Sequence, residues 1–179
     1  MPSDQAASAT ERMKVRRLGP QDWEISRQVR LTALAEAPYA FMSTLAREQG
    51  FDEQVWRQRL GSPGAATFLA WVDGAPAGTA TGKIDDPGDD FTVPGSWQLV
   101  GMWVEPGARG SGVADRLVEA VSEHACAHSA SCLTLWATEI NARAIAFYQR
   151  IGFVPTGARQ LVREDEPDHW EVQMIRHFG

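Results

Sequence analysis

Positions 96 to 128 constrain this chain more than any other stretch. Ser96 to Val104 (SWQLVGMWV) is a mostly apolar run of strand length, and 113 to 128 carries apolar residues at helical spacing. Between them stands Arg109-Gly110-Ser111-Gly112-Val113-Ala114, preceded by Gly107. A strand that passes into a helix through bare backbone exposes several N–H groups at the positive end of a helix dipole, where phosphate oxygens can be held. Gly110 and Gly112 matter because a β-carbon there would block an anion or force a strained φ. An ordinary strand-to-helix turn is the alternative reading of a glycine cluster on its own. Two other phosphate motifs fail on their residues: a Walker loop needs a lysine, which the stretch lacks, and a dinucleotide fingerprint needs a small residue where Asp115 stands.

The remaining elements follow from periodicity and turn chemistry. Met13 to Leu18 reads as a short strand broken by Gly19-Pro20, and a helix begins near Asp22 with Ile25, Val29, Leu31 and Leu34 on its apolar side, ending before Pro38. A second helix is expected over Asp52 to Leu60. Thr67 to Val72, Asp73-Gly74 and Ala77 to Ile84 read as a β-hairpin. An acidic loop, Asp85 to Gly95, leads into the strand at 96. Leu133 to Ala137 is a short apolar interior strand. Asn141 to Ile151 is a helix with Asn141 as N-cap, Gly152 in the left-handed C′ position and Phe153 behind it. Weak strands around Arg159 to Val162 and Trp170 to Ile175 close the chain. This order is that of an α/β fold, with helices crossing a central sheet in one domain over 13–179 and a loose tail over 1–12.

Composition removes several classes of partner. Lysines and arginines number 17 against 23 acidic residues, with no basic stretch to follow a phosphate backbone, so nucleic acid is not expected. The first dozen residues lack the apolar core of a signal peptide and no run approaches the ~18 apolar residues of a membrane helix, which points to a cytoplasmic protein without a membrane partner. Cys126 and Cys132 are read as reduced thiols. With His124 and His128 they spell HACAHSASC, but on a helix over 113 to 128 the buried stripe is Val113, Leu117, Val121 with Ala114, Val118, Ala125. His124 borders that stripe and Cys126 falls opposite it with Asp115, Glu119 and Ser122, so no metal site is expected.

Residues 109 to 114 match the Arg/Gln-x-x-Gly-x-Gly/Ala signature of the GCN5-related N-acetyltransferases, after a Val104-x-Pro106 strand end. Residues 141 to 153 resemble that family's second signature at Asn141, Ala144, Phe147, Tyr148, Gly152 and Phe153. Asn141 and Tyr148 are seven residues apart, nearly two turns, and so project from one side of the helix. A packed amphipathic aromatic is the other reading of Tyr148. The resemblance is firm over 96 to 155 and softer around RLTALAEAPYAF at 30 to 41. It implies a mixed sheet, flanked by helices on both faces and splayed between the strands 96 to 104 and 133 to 137, which admits the pantetheine arm of acetyl-CoA.

The resemblance also implies roles. The loop Arg109, Gly110, Ser111, Gly112, Val113, Ala114 would wrap the diphosphate of acetyl-CoA, the co-substrate, with no metal. Backbone groups of Met102, Trp103 and Val104 would pair with the pantetheine amide and polarise the thioester carbonyl; Asn141 would add a cofactor contact. Tyr148, the catalytic residue, would donate a hydrogen bond or proton to the departing sulfur. No acid lies within SWQLVGMWV or LTLWA, so no base is named; Glu105 and Glu139 at the strand ends read as loop charges.

The acceptor is expected to be an amine of a small molecule or peptide. The acidic clusters Asp85, Asp86, Asp89, Asp90 and Glu164, Asp165, Glu166, Asp168 would favour a cationic one, and solvated loop ends are the other explanation of both. A homodimer is left open. Beside the transferase stand a non-catalytic acyl-CoA-binding module on the same fold and a nucleotide-binding domain reusing the glycine loop.

Overall fold

The computed structural model describes residues 12–88 and 90–179; Asp89 and the expected tail, apart from Arg12, lie outside the described residues. The strands are β1 (Met13–Arg17), β2 (Ala65–Val72), β3 (Ala75–Ile84), β4 (Ser96–Val104), β5 (Cys132–Thr138), β6 (Val154–Leu161) and β7 (Trp170–His177), in one sheet of order β1-β2-β3-β4-β5-β7-β6. Every neighbouring pair is antiparallel except β4 with β5. The helices are α1 (Trp23–Glu36), α2 (Leu45–Gln49), α3 (Glu53–Gly61), α4 (Val113–Ala127) and α5 (Ala142–Arg150).

Both faces of the sheet are covered. Val113, Leu117, Val118, Val121 and Ala125 of α4 pack on Phe68, Ala80, Leu133, Leu135 and Met174. On the other face Val29, Ala33 and Leu34 of α1 and Leu60 of α3 pack on Leu18, Leu69 and Trp103. Phe68 and Leu69 are consecutive on β2 and enter different cores, as alternation along a strand requires. Each fully buried side chain of this kind contributes about 1.5 to 3 kcal/mol.

Side chains cap the starts of α3 and α5, the second as anticipated from sequence. Asp52 accepts from the Val55 N–H at 3.0 Å and Asn141 from the Ala144 N–H at 3.1 Å. The end of α5 is a Schellman motif: Phe153 N–H donates to Tyr148 C=O at 2.9 Å and Gly152 N–H to Gln149 C=O at 3.1 Å.

The feature that positions the site is the split between β4 and β5. Their pairing runs only from Ser96↔Cys132 to Leu99↔Leu135, after which β4 continues to Val104 and β5 to Thr138 without each other. A bulge drives the divergence. Two steps on β3, from Thr79 to Thr81, oppose three on β4, from Trp103 to Val100. Gly101 stands in the bulge at φ +62°, a conformation costly to any residue with a β-carbon.

Some expectations are corrected. Helix α2 went unread, since five residues carry too little periodicity, and β6 begins at Val154 rather than near Arg159. Ser122, placed on the solvent side of α4, is buried because Arg176 of β7 crosses to hydrogen-bond its hydroxyl. Ala114, placed in the buried stripe, is half-buried at the rim of a cavity. Asp85, grouped with solvated acids, is buried and accepts from Ser96 Oγ at 2.8 Å and Thr134 Oγ1 at 3.2 Å.

Candidate active site

A cavity of about 360 Å³ occupies the split. Its walls are Met102 to Val104 of β4, the glycine loop, the Asn141 and Tyr148 face of α5, and the turn Ala37 to Phe41 after α1. Past Leu99, β4 has no partner on its β5 side, so the backbone groups on that edge near Met102 and Trp103 face open space.

The glycine loop forms the end of this cavity. Gly112 is the N-cap of α4 and brings no side chain to its orphan donors. The first intrahelical bond is Arg116 N–H to Gly112 C=O, which leaves the N–H groups of Val113, Ala114 and Asp115 without helical acceptors. Gly110 and Gly112 have φ of +81° and +89°, and nothing lies within 4 Å of where a β-carbon would stand. Backbone conformation, not crowding within the protein, therefore demands glycine here. Ser111 is exposed, outside the cavity lining, with its hydroxyl donating to Ala108 C=O at 2.6 Å. Val113 turns its side chain into the core, so only its backbone is available to a ligand.

Arg109 lines the cavity but is already engaged. Its Nε donates to Val104 C=O at 3.1 Å and its guanidinium pairs with Glu36 at 2.7 Å. The same Glu36 oxygen accepts the Trp103 indole N–H at 3.0 Å. The Trp103 hydrogen bond, helped by Arg109 against the opposing effect of partial burial, holds the Glu36 carboxyl below its ordinary pKa. Arg109 is thus a strut between loop, strand end and α1. Nothing local in the sequence marks Glu36, which lies 73 positions away from Arg109. Sequence reasoning also missed Arg143 and Arg150 of α5, exposed cations on the cavity wall, the second paired with Asp115 at 2.8 Å.

Asn141 and Tyr148 both reach the cavity, as their spacing implied, although the Asn141 side-chain oxygen is committed to its cap. Tyr148 is only 8% exposed, its ring set edge-on to Phe147 and Phe153 at 5.2 and 5.7 Å. Burial pushes its phenol well above the ordinary value of about 10, so it stays protonated across the physiological range. A buried neutral phenol is a donor and not a base. At the far end of α4, His124 packs between Phe68, Trp97 and His128, Cys126 is exposed, and Cys132 is buried in β5.

The family model described as the acetyltransferase (GNAT) family matches residues 31–153. The chain belongs to that family. This GNAT chain has the fold of a GNAT-family acetyltransferase from Streptococcus pneumoniae, at 21% identity and a TM-score of 0.67 over 93% of this chain and 99% of that one. It is likewise similar to the ribosomal-protein-alanine N-acetyltransferase from Brucella melitensis (18% identity, TM-score 0.69, 92% and 99% of the two chains). A third similar structure is the PaiA N-acetyltransferase from Thermoplasma acidophilum in complex with coenzyme A (13%, 0.64, 93% and 99%). No helix among the described residues of this GNAT protein is long and apolar enough to cross a membrane.

Proposed function

We propose that this protein is an acetyl-CoA-dependent N-acetyltransferase that moves the acetyl group to a primary amine of a small molecule or peptide, by direct attack in a ternary complex. One observation carries the reading. A single cavity in the split sheet has the unpaired N–H groups of α4 at one end and the Tyr148 face of α5 along its wall. The coenzyme A held by the Thermoplasma acidophilum relative supports the donor.

The roles follow from chemistry. The N–H groups of residues 110 to 114, at the positive end of the α4 dipole, donate to the diphosphate. Arg143 and Arg150 add positive charge at the cavity wall, and Arg109 keeps the loop in shape. The free backbone edge near Met102 and Trp103 binds the pantetheine amide and stabilises the thioester oxyanion, a contribution of about 3 kcal/mol. Tyr148 donates to the sulfur as the C–S bond breaks. With a phenol of raised pKa facing a thiol of about 8.5, full proton transfer is uphill, so hydrogen bonding to the leaving thiolate is its main contribution. The turn Ala37 to Phe41 borders the acceptor side.

The test pairs binding with turnover. Calorimetry with acetyl-CoA, CoA and NAD should show the first two bind and the third not; thiol release should then occur with some primary amines and fall in Tyr148→Phe. Tight CoA binding with turnover on no amine would contradict the transferase and leave an acyl-CoA-binding module.

A further inference from the structure

The transfer cavity reaches both faces of the sheet. Ala108, Ala144, Phe147 and Tyr148 on its wall belong to the core under α4, whereas Ala37, Phe41 and Trp103 belong to the core under α1 on the opposite face. The glycine loop and Tyr148 thus lie with α4, and the turn Ala37 to Phe41 bounds the end toward α1. That turn comes up against β5 across the opening, and its Phe41 C=O accepts from Arg163 of the β6–β7 loop at 3.2 Å.

The two ends differ in charge. Every charged side chain on the cavity wall among the described residues, Arg109, Asp115, Arg143 and Arg150, comes from the glycine loop, α4 or α5. The α1 end presents Ala37, Tyr39, Ala40, Phe41 and Trp103, none of them charged. The charges of α1 are already met there: Glu36 by Trp103 and Arg109, and Arg30 by Glu48. No described acid of the loops 85–95 and 164–168 lines this cavity. Asp85 is bound by hydroxyls, Glu166 by Arg163 and His169, and Asp165 and Asp168 border a separate cavity beside Ile140. A second ammonium on the acceptor would enter the α1 end without a partner, at high cost.

What this end offers instead is an aromatic frame. Phe41 is buried, and the Arg30 guanidinium covers its ring at 4.6 Å. Arg30 is held in turn: its Nε and Nη2 donate to the buried Glu48 at 3.2 and 2.9 Å, and Glu48 also accepts from Arg59 at 2.9 Å. Helix α2, which carries Glu48, therefore fixes the ring through Arg30. A ring fixed before the ligand arrives loses no freedom on binding. Tyr39 is the opposite case, 42% exposed and with neither hydrogen bond nor ring contact among the described residues. A large aromatic without a partner on a cavity wall offers contact area at little ordering cost, since two χ angles define it.

We propose that the acceptor is a primary amine carried on a flat apolar body such as a phenyl ring, which enters from the α1 end and packs against Phe41 and Tyr39, and that acceptors with a second positive charge are selected against. The inference rests on the transferase reading and names the substrate class of that site. The amine enters as R–NH₂, its ammonium proton left to water, because an uncharged wall disfavours the cation. The nitrogen lone pair forms the C–N bond to the thioester carbon, the C–S bond breaks with its electron pair on sulfur, and one proton passes from nitrogen to sulfur. R–NH₂ and acetyl-CoA thus give the amide and CoA thiol. A neutral amine needs no carboxylate base, in keeping with strands β4 and β5, which contain no acid.

The test measures acetyl-CoA affinity by calorimetry and thiol release with ethylamine, 2-phenylethylamine and 1,4-diaminobutane, for wild type, Tyr39→Ala and Ala40→Asp. In the wild type, burial of the phenyl ring should give 2-phenylethylamine a kcat/KM about 10- to 150-fold above ethylamine, and 1,4-diaminobutane should do no better than ethylamine. Tyr39→Ala removes an exposed ring and no hydrogen bond, so it should lower the ratio of 2-phenylethylamine to ethylamine by about 2- to 12-fold. Ala40→Asp places a carboxylate on the same wall and should raise the ratio of 1,4-diaminobutane to 2-phenylethylamine by about tenfold or more. A wild type that binds acetyl-CoA and prefers 1,4-diaminobutane, treats 2-phenylethylamine and ethylamine alike, or acetylates none of the three overturns the acceptor class. Ratios that Tyr39→Ala and Ala40→Asp leave unmoved overturn it as well. Failure of the wild type to bind acetyl-CoA overturns the transferase reading itself.

Discussion

Replacing Tyr148 by Phe isolates one atom. The ring keeps its edge contacts with Phe147 and Phe153, and the hydroxyl makes no hydrogen bond to another described residue, so the fold should lose almost nothing. What disappears is a hydrogen bond to sulfur that strengthens as the thiolate forms. A hydrogen bond to a charged group is worth about 1.5 to 3 kcal/mol, which at 1.4 kcal/mol per tenfold gives a loss in kcat of about 10- to 150-fold. Full proton transfer would cost up to about 10⁴-fold, and the raised phenol pKa argues for the smaller figure. The assay is thiol release at saturating acetyl-CoA and amine, beside calorimetry for acetyl-CoA and a thermal melt. Expected are a Tm within a degree or two of wild type, an acetyl-CoA Kd changed less than about threefold, and a fall in kcat. An unchanged kcat, or a fall matched by lost acetyl-CoA binding, would refute the reasoning.

Three further outcomes are expected. Gly112→Ala forces a β-carbon to φ +89° without a clash, so it should cost about 1 to 2 kcal/mol and lower Tm by roughly 2 to 8 °C, while weakening acetyl-CoA by more than that penalty alone explains; equal wild-type affinity would remove the loop from the diphosphate site. Glu36→Gln breaks a partly exposed pair, so stability should change by less than about 1 kcal/mol while acetyl-CoA Kd rises about two- to fivefold through a loosened Arg109, as calorimetry would show. Burial, then His128 and Arg17, lower the His124 pKa, so the unfolded chain binds its proton first as pH falls. Stability should be full above about pH 6.5 and decline below it until the folded value is passed; denaturant midpoints at pH 7.5 and 5.5 should show a drop that His124→Phe reduces.

The elements that build the site were those most legible in the chain. Strand β4, helix α4 and helix α5 are bounded by an apolar run, glycines and a capped start and end, each a local signal that tertiary packing reinforces. Strand β6 was less visible because Pro155 and Gly157 interrupt it, and the structure accommodates them with a register shift between Pro155 and Arg159 on an edge strand. The glycine loop and Tyr148 carried their own motifs. Glu36 carried none, since its meaning arises only when a helix end meets a loop 73 residues on. Asp85 shows the converse: a residue that reads as a loop charge is fixed inside the sheet by Ser96 and Thr134.

The most direct measurement is a crystal structure of the protein with acetyl-CoA bound. The diphosphate should accept hydrogen bonds from the backbone between Gly110 and Ala114, with the thioester sulfur beside the Tyr148 hydroxyl in the opening between β4 and β5. A diphosphate held elsewhere, or a sulfur remote from Tyr148, would contradict the account.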